Sequence, residues 1–400
     1  MIIFGKPTHF RKGLLPYLDD VANFSDGEQP HMIEYQRRRQ RLIRRLRGEK
    51  LEALLVTNPL HVVYLTGFTG GSSFLLLSAK KAILVSDTRF TIQIEEECPG
   101  LEASIRGPDR TTWQEAAGVI DKLGYRNVGV ESQHVTVNQL DNLVELASSV
   151  IFVPKRGLVE SLRVIKDTGE VAAIREAIEI GRRALGMLEA MLSPSDTEVQ
   201  MANALDGYIR RAGGHGTAFD TIVAIGDRSA LPHAPPSERR LEEAPFFLLD
   251  WGVKGAFYNG DLTRMIRSPF FPETKGRQRV ESRLEKIYTV VLQAQQRAAS
   301  AVRPGVPAKV VDAAARSYIE AAGYGREFNH GLGHGLGLQV HEAPDLRSIS
   351  ADVLQAGMVF TLEPGIYLKG FAGVRLEDVF LVTEDGCESL SAGVAKSFFD

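Results

Sequence analysis

The sequence predicts an α/β chain of two domains, the second assembled from a duplicated half. Its 400 residues exceed what one ordinary hydrophobic core holds. Short apolar β-like runs alternate with helical periodicity over residues 52–148. Further along, a helix followed by strands recurs at a constant offset of 110 residues.

Composition excludes several function classes. A hydrophobic fraction of 44% with 24% charged residues is that of an ordinary globular protein, neither disordered nor membrane-embedded. The formal charge of -3 leaves no electrostatic case for nucleic acid or an anionic membrane as partner. Only two cysteines occur, Cys98 and Cys387, so no disulfide framework is expected and a reducing compartment is the simpler reading. The N-terminus MIIFGKPTHFRKG lacks a long apolar segment, and no uncharged run is long enough to span a membrane. A cytoplasmic location is expected.

Residues 1–32, with Pro7, Pro16 and Pro30, read as an extension that packs on the body or on a partner. The arginine-rich IEYQRRRQRLIRRLRGEK (33–50) reads as an amphipathic helix, Ile33, Leu42, Ile43 and Leu46 inward and the arginines solvated. A nucleic-acid arm is the lesser reading, because the rest of the chain is not basic. EALLVT (52–57), SFLLLS (73–78), AILVSD (82–87) and NVGVES (127–132) are strand candidates, and helical patterns lie near 88–97, 112–123 and 136–148. GFTGGSS (67–73) has neither the lysine nor the spacing of a phosphate loop. These elements predict a first α/β domain over 33–160. IFVPKRGLVESLRVIKDTGE (151–170), a Pro/Gly break followed by helix, is the expected junction to a second domain over 161–400.

The duplication lies in that second domain. PSDTEVQMANALDGYIRRAGG from Pro194 is echoed by PGVPAKVVDAAARSYIEAAGY from Pro304. Tyr208-Ile209 matches Tyr318-Ile319, and Ala212-Gly213 matches Ala322-Gly323. Each copy predicts a helix stopped at a glycine, then β-like runs carrying acids. Two such halves place equivalent strands around a pseudo-two-fold axis.

In FFLLDWGVKGAFYNGDLTRMI (246–266), Asp250 ends one apolar run and Asp261 opens the next, with turn-prone residues between them, so the runs pair as a hairpin. In TLEPGIYLKGFAGVRLEDVFLVTEDG (361–386), Glu363 ends one run and Glu377 lies within the next. Taken singly, each acid is as readily a cap, a turn residue or a surface ion-pair partner. As a set, four carboxylates on neighbouring buried strands cannot all stay ionised without compensation. Two divalent cations would cancel the four charges, and oxygen ligands with one imidazole suit Mn, Co, Fe or Zn. The imidazole comes from HGLGHGLGLQVHE (330–342), which holds His330, His334 and His341 among four glycines. Glycine at every second position rules out a helical zinc clamp.

Together these residues resemble the pita-bread metallopeptidases, and within them the Xaa-Pro aminopeptidases and prolidases. LPHAPPSERRL (231–241), LLDWG with GDLTR (248–264), HGLGHGLGLQVHE (330–342), LEPGIY (362–367) and VRLEDVFLVTEDG (374–386) carry the resemblance. LRVIKDTGEVAAIREA (162–177) resembles the start of that family's catalytic domain, and LVTNPLHVVYLTGFTGGSSFLLL (55–77) its creatinase-like first domain. Residues 33–395 are covered; the first thirty-odd have no counterpart.

The resemblance implies two divalent ions, manganese first among the candidates, on Asp250, Asp261, His334, Glu363 and Glu377. It implies hydrolysis of the Xaa-Pro bond at the N-terminus of a peptide by a metal-bridged hydroxide, with Glu363 as proton shuttle. His341 is then assigned to the oxyanion, His330 and His233 to substrate or intermediate, and Tyr367 and Arg375 to supporting roles around the ligands. Trp251 reads as core. The implied partners are a proline-containing peptide and a second copy of the chain in a homodimer. An Xaa-Pro dipeptidase is the nearest alternative; a pita-bread binding module, a creatinase-like hydrolase and a metal-dependent lyase are more distant ones.

Overall fold

The computed structural model describes residues 30–396 and Phe398. Of the expected N-terminal extension, residues 1–29 lie outside this range, as do the side chains of residues 30–33, Ile33 among them.

The first part of the chain contains α1 (Pro30–Gly48), β1 (Ala53–Val56), α2 (Pro59–Thr66), β2 (Phe74–Ser78), β3 (Ala82–Asp87), α3 (Thr91–Glu97), β4 (Glu102–Arg106), α4 (Thr112–Leu123), β5 (Asn127–Glu131), α5 (Val137–Leu146) and β6 (Ile151–Lys155). Its six strands form one sheet in the order β4-β3-β2-β1-β5-β6. Period-two side chains give the sheet two apolar faces. Ala53, Leu55, Leu76 and Val85 share a core with Ala116 and Ile120 of α4 and Leu143 of α5. Leu54, Val56, Leu75 and Leu84 share another with Leu42 and Leu46 of α1 and Leu65 of α2. This second core runs on through Leu162, Ile174 and Ile178 into the rest of the molecule. Strands β4 and β6 were not foreseen: both are edge strands whose partly exposed residues interrupt any apolar run.

Helix α1 is amphipathic as expected, but not all of its arginines are solvated. Arg38 is only 8% exposed. It donates to the Tyr64 carbonyl at 3.1 Å and the Asp167 carboxylate at 2.6 Å, and lies 3.4 Å from Glu170. A buried guanidinium needs such partners, and here they come from far along the chain.

The second part continues with α6 (Glu160–Arg163), α7 (Thr168–Met191), α8 (Glu198–Arg211), β7 (Gly216–Thr217), β8 (Ile222–Ile225), β9 (Phe246–Lys254) and β10 (Asn259–Arg267). Then follow α9 (Lys275–Ala301), α10 (Ala308–Ala321), β11 (Gly333–Gly335), β12 (Glu342–Leu346), β13 (Val359–Leu362), β14 (Gly365–Leu368), β15 (Ala372–Arg375), β16 (Asp378–Val382) and β17 (Cys387–Ser389). Helices α8 and α10 begin and end at positions related by the offset of 110 residues read from the sequence. A β-bridge precedes each, Thr197 to Arg240 in one half and Pro307 to Val353 in the other. Each helix is capped by an alanine and followed by a glycine of positive φ, Gly213 at 106° and Gly323 at 89°.

Apart from the two-stranded β14-β15 sheet, one sheet of this part runs β10-β9-β7, with β8 also paired to β9, and the other runs β12-β11-β13-β16-β17. They meet at the bridge between Thr263 and Glu377. Phe247, Leu249 and Trp251 of β9 pack with Ile178 of α7 and Leu205 of α8. Phe360 and Leu362 of β13 pack with Val291 of α9 and Ile319 of α10. Alternate residues of β9 face the opposite way, Asp250 among them.

Candidate active site

Asp250 and Asp261 do not sit at strand ends, as the sequence reading had them. Strands β9 and β10 are nine residues each, and their register pairs Asp250 with Thr263 and Asp261 with Gly252. Asp261 is two residues from Thr263, so both aspartates share one face, diagonally adjacent. Glu363 directly follows β13, its N–H donating to the Leu332 carbonyl at 2.8 Å. Glu377 is not inside a continuous strand. The run from Val374 to Val382 breaks between β15, which pairs with β14, and β16, which belongs to the larger sheet. Glu377 occupies that break, where the chain changes sheet.

The histidine stretch is extended, not helical. Its centre, β11, lies between β12 and β13. A Cβ added at Gly333 would overlap the Thr361 carbonyl, and one at Gly335 the Ala343 carbonyl. Those glycines therefore admit the close approach of neighbouring strands. The His334 ring is oriented by its Nδ1, which donates to the Gly335 carbonyl at 3.2 Å. That tautomer leaves the Nε2 lone pair facing Asp261 Oδ2 at 3.6 Å and Glu363 Oε1 at 3.5 Å.

One ligand atom from each of Asp261, His334 and Glu377 lies within 4.8 Å of the others. Burial, then the charges of Glu377 and Asp250, pushes the Asp261 carboxyl well above its ordinary range. Burial likewise raises Glu363 and Glu377, reinforced by neighbouring carboxylates. Arg375 is the compensating cation. It donates to Asp250 Oδ2, to the Tyr367 hydroxyl at 2.8 Å, to the Pro232 carbonyl at 3.1 Å and to Thr263 Oγ1 at 3.2 Å. The Thr263 hydroxyl in turn donates to Glu377 at 2.7 Å. Thr263 was missed from sequence, although its place two residues after Asp261 puts it on the same strand face.

The four carboxylates, His334 and Arg375 line a cavity of about 590 Å³, within the range of small-ligand sites. His330, His341, His233 and Tyr367 line it too, with Phe219 and Ile222 on an apolar wall. His330 donates from Nδ1 to the Gly331 carbonyl at 2.7 Å and accepts the Tyr367 hydroxyl proton at Nε2, 3.0 Å away. Both of its nitrogens are thus engaged, and burial, then Arg375, lowers its pKa to about 4. His341 is open to solvent on one side, with its ring against that of His334, centroids 4.2 Å apart. His233 is exposed on the facing loop. Trp251 is fully buried in the core.

The profile of metallopeptidase family M24 matches residues 172–384, a span that holds every one of the candidate ligands. The chain belongs to metallopeptidase family M24. Ahead of the M24 region, the profile of the creatinase/prolidase N-terminal domain matches residues 38–165. Among solved M24-like structures, the X-Pro aminopeptidase from Thermotoga maritima superimposes with a TM-score of 0.82. It is 32% identical, over 90% of this chain and 99% of that one. The Xaa-Pro dipeptidase from Bacillus anthracis gives a TM-score of 0.83 at 33% identity, over 90% of this chain and 98% of that one. Uncharacterized peptidase YqhT of Bacillus subtilis is 34% identical over 85% of this chain and 94% of its own length.

The M24 chain is thus a metallopeptidase, acting on peptides, with a creatinase-like domain ahead of a pita-bread domain. Its candidate site suits a metal on its own evidence. Asp250 Oδ1 is buried with no hydrogen-bond partner among the described residues, and carboxylates forced together by the fold need a cation. Among the described residues no helix is long and apolar enough to cross a membrane.

Proposed function

We propose that this chain is an Xaa-Pro aminopeptidase working with two divalent ions held by Asp250, Asp261, His334, Glu363 and Glu377. The observation that carries the reading is the convergence of hard oxygen donors and one correctly oriented imidazole on a single buried face. Bound ions of this kind lower the pKa of water and polarise a carbonyl. Manganese is the first ion to test, with cobalt, iron and zinc suited to the same donors.

The residues themselves supply the remaining chemistry. Arg375 holds Asp250 by Oδ2, which leaves Oδ1 without a hydrogen-bond partner among the described residues. Glu363, whose Oε1 lies 3.5 Å from His334 Nε2 in the cavity, moves a proton from the attacking water to the proline nitrogen as the bond breaks. His341, at the open side of the cavity, donates to the developing oxyanion, and His233 on the facing loop contacts the substrate. Tyr367 orients His330 against the substrate through its hydroxyl. The apolar wall of Phe219 and Ile222 receives an apolar side chain.

A dipeptidase is the second reading, favoured by the Bacillus anthracis Xaa-Pro dipeptidase, which is as similar as the aminopeptidase from Thermotoga maritima. Xaa-Pro dipeptides and Xaa-Pro-Yaa tripeptides, offered to the manganese-loaded protein, separate the two. Cleavage of tripeptides supports the aminopeptidase, and cleavage confined to dipeptides overturns it. A homodimer is part of the same reading, and sedimentation tests it.

A further inference from the structure

A further buried charged network links the first domain to the stretch around His341. At its N-terminal end, Glu131 closes β5 and accepts the backbone N–H groups of Thr57 and Asn58 at 2.6 and 2.8 Å. Its other oxygen meets His61 Nδ1. Arg163 Nη1 donates to His61 Nε2 at 2.9 Å. A guanidinium is never an acceptor, so Nε2 is the bare nitrogen and Nδ1 carries the proton to Glu131. His61 is therefore a neutral spacer between a carboxylate and a guanidinium.

Arg163 then reaches into the catalytic domain. Its Nη2 donates to Gln339 Oε1 at 3.1 Å and to Glu342 Oε2. Lys166 Nζ donates to the other Glu342 oxygen at 2.9 Å. Two carboxylates and two cations balance in an interior where His61 is 1% and Arg163 2% exposed. The arrangement is tight: a Cβ at Gly337 would lie 2.5 Å from Glu342 Oε1.

One nitrogen thus grips both flanks of His341, at the second residue before it and the first after it. The His341 side chain makes no hydrogen bond among the described residues, and its ring packs on that of His334, centroids 4.2 Å apart. Its place at the cavity is set by the backbone from Gln339 to Glu342.

We infer that Arg163 is a positioning residue for His341, clamping its loop through Gln339 and Glu342, and that the N-terminal domain orients the clamp through His61 and Glu131. The inference deepens the proposed peptidase reading and rests on it for its kinetic part.

The test uses the whole chain. Arg163→Lys keeps the charge but cannot serve His61, Gln339 and Glu342 together; Gln339→Ala, at an exposed residue, removes one grip at little risk to folding. In histidine-labelled protein, the ring signal of His341, assigned by its loss in His341→Ala, is expected to shift and broaden in both variants. In the manganese-loaded protein, kcat on an Xaa-Pro peptide is expected to fall about tenfold or more in Arg163→Lys, with KM and metal content little changed. Arg163→Lys should cost no further kcat in the His341→Ala background, because the two act as one unit. An unmoved His341 signal in both variants, or an equal loss of kcat with and without His341, overturns the clamp. A wild-type chain that cleaves no Xaa-Pro peptide overturns the peptidase reading instead, and the His341 signal still decides the clamp.

Discussion

Thr263 and Glu377 join the two halves of the catalytic domain twice, by a backbone bridge and by a hydroxyl-to-carboxylate hydrogen bond of 2.7 Å. The same hydroxyl accepts from Arg375 Nε at 3.2 Å. Thr263→Val keeps the shape and removes both bonds. The expected cost is about 1–3 kcal/mol, since a buried carboxylate and a guanidinium each lose a partner. Metal affinity should fall roughly 10–100-fold, as when ligand-orienting groups are lost elsewhere. Urea unfolding and metal titration calorimetry measure the two effects.

Glu363→Gln and His341→Ala should part company. Glu363→Gln is expected to abolish hydrolysis while the protein stays folded. In metal-free protein at pH 7 it should be no less stable than wild type, because one of several crowded carboxylates is gone. His341→Ala should lower kcat far more than metal content. Elemental analysis beside kinetics tests both.

Metal removal should make stability depend on pH. Asp261, Glu363 and Glu377 have folded-state pKa values raised above those of the unfolded chain. Their contribution is complete below the ordinary carboxylate range of about 4 and is lost as pH rises above it. The chelated protein should therefore melt at lower temperature at pH 7 than at pH 5. Divalent ion at about 100 times its dissociation constant should restore about 2.7 kcal/mol. Melting curves that do not respond to chelator or to manganese would contradict the proposed site.

The junction at Arg38 should respond separately. Arg38→Ala leaves the buried Glu170 and the half-buried Asp167 without their cation, at an expected cost of about 3 kcal/mol. Burial raises Glu170 from 4.5 to about 7. Its stabilising contribution is thus full below pH 4.5 and fades as pH rises through 7. Glu170→Gln should flatten that part of the stability profile measured by urea unfolding across pH 4–8.

The sequence showed most of this where the signal is local. The offset linking Tyr208-Ile209 to Tyr318-Ile319 located α8 and α10, because one amphipathic helix repeats on one scale. Asp250 and Asp261 were visible as acids in apolar runs, but their register was not. Gly252 and Lys254 blur where β9 stops, so Asp250 looked terminal although it pairs with Thr263. VRLEDVFLV reads as one strand because nothing in its composition marks the change of sheet at Glu377. Arg38 looked solvated among its neighbours, since its partners Asp167 and Glu170 lie more than a hundred residues on. Arg163 and Glu342, 179 residues apart, left no local trace at all.

The division of donors between the halves bears on how the chain comes apart. Asp250 and Asp261 belong to the hairpin before α9, while His334, Glu363 and Glu377 all follow it. Neither half carries all five donors. A nick in the connection between β10 and α9 would yield two fragments that must reassociate before either regains a competent centre, and metal would then act as the glue that scores their reunion.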